Sequence, residues 1–159
     1  MEATGSLRLM LALQEFAQAS ERYVETVGAR HHSHRTDMNA LAAILRFERT
    51  GRAPTPGDLA RELRLSAPAT TALVDRLVSS GHVERLRAED DRRRVLLRLT
   101  DQARRDGREM FGPLGTALAG VIGHYDPEEI DLLARFVTEA REGVDAASAA
   151  VESGERDRP

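Results

Sequence analysis

The chain has 159 residues, 41% of them hydrophobic, 31% charged and 4% aromatic, with a formal net charge of −3. This is an ordinary globular balance, enough for one domain with extensions and a core built mostly of Leu, Val and Ala. The absence of Cys excludes disulfides, thiolate metal sites, Cys nucleophiles and thiol-based redox sensing. No apolar run approaches the roughly 18 residues of a membrane span, and the first residues do not read as a signal peptide, so a cytoplasmic location is expected.

In chain order, 6–30 place Met10, Leu13, Phe16, Ala17, Tyr23, Val24 and Val27 at three- and four-residue spacings, which predicts a long amphipathic helix. "HHSHRTD" (31–37) interrupts it, and Thr36 or Asp37 is the expected cap of a second helix carrying Met38, Leu41, Ile44 and Leu45. After the break "GRAPTPG" (51–57), Thr55, Pro56 and Asp58 form a helix start: an N-cap, a proline at the first position and an acid at the positive end of the dipole. Leu59, Ala60 and Leu63 give that short helix its apolar face. Ser66 then caps "SAPATTALVDRLVSSG", which stops at Gly81. Two short helices across a tight turn read as a helix-turn-helix.

Beyond Gly81 the period changes from helix to strand. "HVERL" (82–86) and "RVLLRLT" (94–100) predict a hairpin whose tip holds Glu89, Asp90, Asp91 and Arg92. Thr100 caps a glycine-rich helix over about 101–124, with a kink expected near Pro113. Asp126, Pro127 and Glu129 restart a final helix through a capping box, with Ile130, Leu133, Phe136, Val137 and Ala140 on its apolar face.

Charge is unevenly placed. Residues 1–50 are neutral overall, 51–100 carry +3 and 101–159 carry −6. All 23 basic residues are Arg, a bias that a GC-rich coding sequence produces and that also suits bidentate phosphate contacts. A helix-turn-helix followed by a hairpin is a winged helix, and the basic third coincides with it. A helix of that width fits the major groove of DNA, while wing arginines reach phosphates or a narrow minor groove. In the fourth helix Thr70, Leu73, Val74 and Leu77 share a face and are expected to be buried. Ser66, Ala67, Pro68, Ala69, Thr71, Ala72 and Arg76, with Asp91, Arg92, Arg93 and Arg94 of the wing, are the expected DNA-binding set. The small residues favour thymine-methyl contacts and shape readout over bidentate base recognition.

The stretch 59–100 resembles the winged-helix core of the multiple antibiotic resistance regulator (MarR) family. The resemblance rests on Leu59, Ala60, Leu63, Ser66, Thr71, Leu73, "DRL" at 75–77, Gly81, "VER" at 83–85, "DRR" at 91–93 and "LT" at 99–100. It implies a homodimeric transcriptional regulator, a repressor relieved by a small effector, with Asp91 orienting Arg93 in the minor groove and Ser66 to Ala72 in the major groove. Thr71 and Arg85 match positions that hold phenolic acids in some members. Two positions depart from the pattern: Ala72 stands where Arg is frequent, and Ala103 where Gly is usual.

The expected fold is therefore mainly α with a small β-hairpin wing. Residues 1–37 form a dimerisation helix and junction, 38–100 the DNA-binding winged helix, 101–151 the C-terminal dimerisation helices and 152–159 a disordered tail. The outer helices carry apolar stripes that one thin layer cannot cover, which favours a two-fold dimer on a pseudo-palindromic site with half-sites about one DNA turn apart. No cofactor and no metal are expected. His31 and His34 of "HHSH" are candidates for an effector pocket, a zinc site being the less favoured use. Arg85 equally fits a salt bridge to Glu84 or the wing acids, and Arg76 one to Asp75 or another acid. An enzyme is disfavoured, because no Gly-rich phosphate loop is present and the adjacent acids sit at a tip or a helix cap. Two other readings are a winged helix used for protein contacts and a DNA-binding protein without an effector.

Overall fold

The computed structural model describes residues 2–88, 91 and 93–154. Six helices and one hairpin follow in order: α1 (Glu2–Arg30), α2 (Arg35–Arg49), α3 (Pro56–Leu63), α4 (Ala67–Ser79), β1 (Val83–Arg87), β2 (Val95–Leu99), α5 (Asp101–Ile122) and α6 (Pro127–Glu152). The chain divides into two compact units, Met1–Phe111 and Gly112–Pro159.

The first unit holds the winged helix. Its core joins Ala40, Ala43 and Ile44 of α2, Leu59 of α3, Leu73, Val74 and Leu77 of α4, Val83, Leu97 and Leu99 of the hairpin and Ala103 of α5. Thr70, Leu73, Val74 and Leu77 are the buried residues of α4, as their shared helical face predicts. The strands pair antiparallel, with Val83 opposite Leu99 and Arg87 opposite Val95. Pro54, fully buried, adds a third rung: its carbonyl accepts from Leu97 N–H at 2.8 Å. A smaller cluster of Val27, Met38 and Met110, flanked by Tyr23, Val24 and Phe111, packs α1 and α2 with α5. There the Tyr23 hydroxyl donates to the Met110 carbonyl at 2.8 Å. Gly28 is needed at the α1–α2 junction, because a Cβ would lie 2.9 Å from Met38 Cε and 3.0 Å from the Ser33 carbonyl.

The caps follow the sequence with one exception. Thr55 and Asp126 close capping boxes with Asp58 and Glu129. Thr100 Oγ1 accepts from Ala103 N–H at 3.1 Å. Gly81 takes φ +75, the left-handed stop after α4. The second helix, however, begins earlier than expected: its N-cap is His34, whose side chain makes no cap bond. Thr36 and Asp37 therefore lie inside α2, and Asp37 is freed for another partner. The strands sit one residue from their expected bounds, and α5 runs as one helix through Pro113. In the second unit α6 ends at Ser153 as C-cap, with Gly154 at φ +74. The rest of the expected tail, 155–159, lies outside the described residues.

Candidate nucleic-acid interface

The helix-turn-helix is set by the α3 start. Asp58 is buried beneath it, and its carboxylate gathers four donors. Thr55 N–H and Thr55 Oγ1 each reach Oδ2 at 2.9 Å, Arg52 Nη1 reaches Oδ2 at 3.1 Å and Arg61 Nη2 reaches Oδ1 at 2.6 Å. The Thr55 backbone bond first, then its hydroxyl and the two guanidiniums, hold this carboxyl at about 2 against the burial that opposes them. Arg52 also stacks over Phe47, 4.6 Å from the ring centroid. The turn is made by Arg64 in the left-handed region at φ 53, which lets Leu65 N–H return to Ala60 O at 2.9 Å.

From that turn α4 presents Ser66, Ala67, Pro68, Ala69, Thr71, Ala72, Asp75 and Arg76 to solvent. The hydroxyls differ in what they can offer. Thr71 Oγ1 donates to Ala67 O at 3.0 Å, so it turns its lone pairs and methyl outward. Ser66 Oγ accepts from Ala69 N–H at 3.4 Å and keeps its own proton to donate.

The two charged residues of this face are held by partners. Arg76 Nε lies 3.0 Å from both Oδ atoms of Asp37, and Nη2 also donates to Oδ1. This fork raises the Arg76 guanidinium above its already high range. Asp75 takes Arg85 Nη2 from β1. So Arg85 does form an ion pair, and among the described residues its partner is Asp75 of α4 rather than Glu84 or Asp91. Glu84 instead faces Arg98 across the hairpin at 3.9 Å.

The wing turn is ordered by Asp91. Asp91 Oδ1 accepts from Arg93 N–H at 2.9 Å, Asp91 O from Arg94 N–H at 2.9 Å, and Arg94 O from Ala88 N–H at 3.0 Å. Asp91 thus fixes the Arg93 backbone in an Asx turn rather than pairing with its guanidinium. Arg93 is exposed and, with Arg87, has no ion pair among the described residues. Glu89, Asp90 and Arg92 lie outside the described residues.

The remaining candidates separate. His31 is half-buried and His34 exposed at the helix junction, and no group of three metal-ligating side chains occurs among the described residues. Neither His is brought near Thr71 or Arg85 by any bond. Three features escaped the sequence reading. One is Asp37 as the Arg76 anchor. Another is Glu48, whose Oε1 accepts from Leu99 N–H at 3.0 Å while Oε2 takes Arg104 at 2.6 Å. The third is a bonded Ser80, His82 and Asp106 set. Each pair is distant in sequence or bridges different elements, so no local pattern marks it.

The helix-turn-helix, the recognition helix with its outer face of small residues, and the wing beside it make this a winged helix-turn-helix protein. Residues 34–94 match the model of the MarR family. The chain is 35% identical over 86 residues to the uncharacterized HTH-type transcriptional regulator YcgE of Bacillus subtilis, covering 54% of this chain and 56% of that one. It spans about half the length of the curated relatives it matches. A MarR family protein from Bacillus stearothermophilus shares the fold with a TM-score of 0.67 and 23% identity, over 91% of this chain and 99% of that one. A variant of MepR from S. aureus, bound to an oligodeoxyribonucleotide, does so with a TM-score of 0.58 and 12% identity, over 86% and 97%. Over residues 34–94 the chain is thus similar to the MarR family, and its curated relatives bear the name of HTH-type transcriptional regulators.

Proposed function

We propose that the protein is an effector-responsive repressor that binds a pseudo-palindromic DNA site as a homodimer. The observation that carries this reading is an outer face on α4 made mainly of small residues, its Asp75 and Arg76 tied to partners, beside wing cations at Arg87 and Arg93 that have no ion pair among the described residues. Such a face lets the helix approach base edges closely, and such a wing supplies the phosphate affinity. Ser66 to Ala72 meet base edges and backbone, and Asp91, Arg92, Arg93 and Arg94 form the minor-groove element. Arg76 enters as a brace on Asp37, and its contact with DNA is at most through what that brace leaves open. The MepR variant bound to an oligodeoxyribonucleotide supports the assignment by analogy of fold.

The dimer reading draws on the second unit and on α1. Val137 is 57% exposed, Leu132 54%, Val121 56% and Phe16 56% in the single chain, more apolar surface than a lone soluble chain leaves open. A two-fold partner covers it and spaces two recognition helices about one DNA turn apart. An aromatic acid effector at Thr71 and Arg85 shares the Arg85 guanidinium with Asp75, which couples its binding to α4. His31 and His34 are kept as a separate candidate site.

Fluorescence anisotropy with the DNA flanking its own gene, against non-specific competitor, tests the assignment. Tight binding that survives competitor is expected. Weak binding that competitor abolishes assigns the winged helix to protein contacts instead.

A further inference from the structure

Two neighbouring residues of α4, Asp75 and Arg76, tie it to two different elements. Successive helical positions diverge by about 100°, so the two side chains leave α4 in different directions. Arg76 Nε lies 3.0 Å from each Oδ of Asp37 in α2, and Nη2 also donates to Oδ1. Asp75 takes Arg85 Nη2 from β1. Both outer partners are themselves fixed. Arg85 stands opposite Leu97 in the hairpin, whose N–H donates to Pro54 O at 2.8 Å. Asp37 lies in the first turn of α2, its N–H donating to His34 O at 2.9 Å. Met38 beside it is buried with Val27 and Met110 in the cluster that joins α1, α2 and α5.

The fork on Asp37 supplies direction that the core beneath α4 does not. Thr70, Leu73, Val74 and Leu77 bury the inner face of the helix, and apolar burial is non-directional. A guanidinium with two donors on one carboxylate fixes distance and angle together. The Asp37 side chain is 14% exposed and that of Arg76 46%, so the acid is the anchored end and α4 the held one. Placement matters for this helix, because Ser66 to Ala72 offer mostly methyl groups and short hydroxyls. Such groups discriminate only when the helix lies close to the base edges. Ser66, the N-cap of α4, lies about 15 Å along the axis from Arg76 at about 1.5 Å per residue. A tilt of about 10° at the fork moves that end by roughly 2–3 Å, enough to lose a van der Waals contact with a thymine methyl.

We propose that Asp37 is a positioning residue for DNA recognition: through Arg76 it sets the placement of α4, and with it sequence discrimination, without touching DNA. Resting on the DNA-binding reading, this role has a sign opposite to plain electrostatics. An acid near a polyanion repels it, so its loss strengthens binding to every duplex. A positioning acid does the reverse for the preferred sequence: its loss lowers affinity there relative to other sequences. Arg76, occupied by the fork, then contributes discrimination through the same contact and not as a separate phosphate ligand.

Wild type, Asp37→Asn, Arg76→Gln and the double variant are compared by fluorescence anisotropy on two duplexes: the best one that wild type selects from a random pool, and a scrambled duplex of the same length. Urea unfolding under the same conditions checks that each variant is folded, and if one single variant folds poorly the other carries the test. Each single variant is expected to lose about threefold to tenfold in the ratio of the two affinities, and the double variant no more than the larger single loss. Ratios equal to that of wild type overturn the proposal, and so do single losses that add in the double variant. Tighter binding of Asp37→Asn to both duplexes, with the ratio kept and the salt slope raised by about one, makes Arg76 a phosphate contact and overturns it as well. A wild type that selects no sequence overturns the DNA-binding reading and this inference with it.

Discussion

Replacing Asp58 by Asn removes one charge beneath the helix-turn-helix and nothing of its size. The Asp58 side chain is 8% exposed and bonded to Thr55, Arg52 and Arg61. Its carboxyl is lowered from 3.8 to about 2. At about 1.4 kcal/mol per pH unit, that difference contributes about 2 kcal/mol of stability at neutral pH. Because the folded value is the lower one, the contribution is complete above pH 5 and is lost as pH falls toward 2. At pH 3 about half of it remains. In the variant the amide N–H₂ also faces the Arg61 guanidinium, a donor against a donor. Urea unfolding of wild type and Asp58→Asn at pH 7, 5 and 3 is expected to show a difference of about 2 kcal/mol, flat from 7 to 5 and halved at 3. A difference that stays constant to pH 3, or that is below about 0.5 kcal/mol throughout, refutes the charge account of this cap.

Other consequences follow from single positions. Leu97→Ala opens a cavity at a fully buried site and is expected to cost about 2–5 kcal/mol in thermal or urea unfolding. Gly81→Ala forces a Cβ onto φ +75 and to 3.0 Å from Gln102 Oε1, with an expected loss of about 1–2 kcal/mol that a Gln102→Ala background relieves only in part. A double-mutant cycle on Asp37→Ala and Arg76→Ala is expected to return a favourable coupling, the loss in the double variant being smaller than the sum of the two single losses; additive losses contradict the pairing. Val137→Glu places a charge in the exposed apolar face of α6; sedimentation is expected to show monomer where the wild type is dimeric, and an unchanged mass contradicts the proposed dimer surface.

Much of this molecule is written locally. Caps, turns and periodicity depend on neighbours in sequence, so Thr55, Ser66, Gly81, Thr100 and Asp126 were legible, as was the buried face Thr70, Leu73, Val74 and Leu77. The mistaken cap at Thr36 or Asp37 has the same physics behind it. A Thr-Asp pair is a good cap signal, but the backbone turned earlier, at His34, and Asp37 found Arg76 on another helix. The partners of Arg76, Arg85, Arg104 and His82 were not legible. Arginine and histidine reach several ångströms, and which acid they meet is fixed by how helices pack. For the candidate interface, the exposed small residues of α4 were readable from the helical angle alone. Which arginines remained free was not, because that depends on acids contributed by α2, α4 and β1.

The measurement that bears most directly on the account is the salt dependence of binding to the flanking DNA, wild type beside Arg93→Ala. Each phosphate contact contributes about 0.9 to the slope of log K against log salt. The account predicts a steep slope for the wild type and one lower by about one in the variant, with weaker binding at every salt concentration. Equal slopes, or a flat wild-type profile, contradict a wing that engages DNA through Arg93.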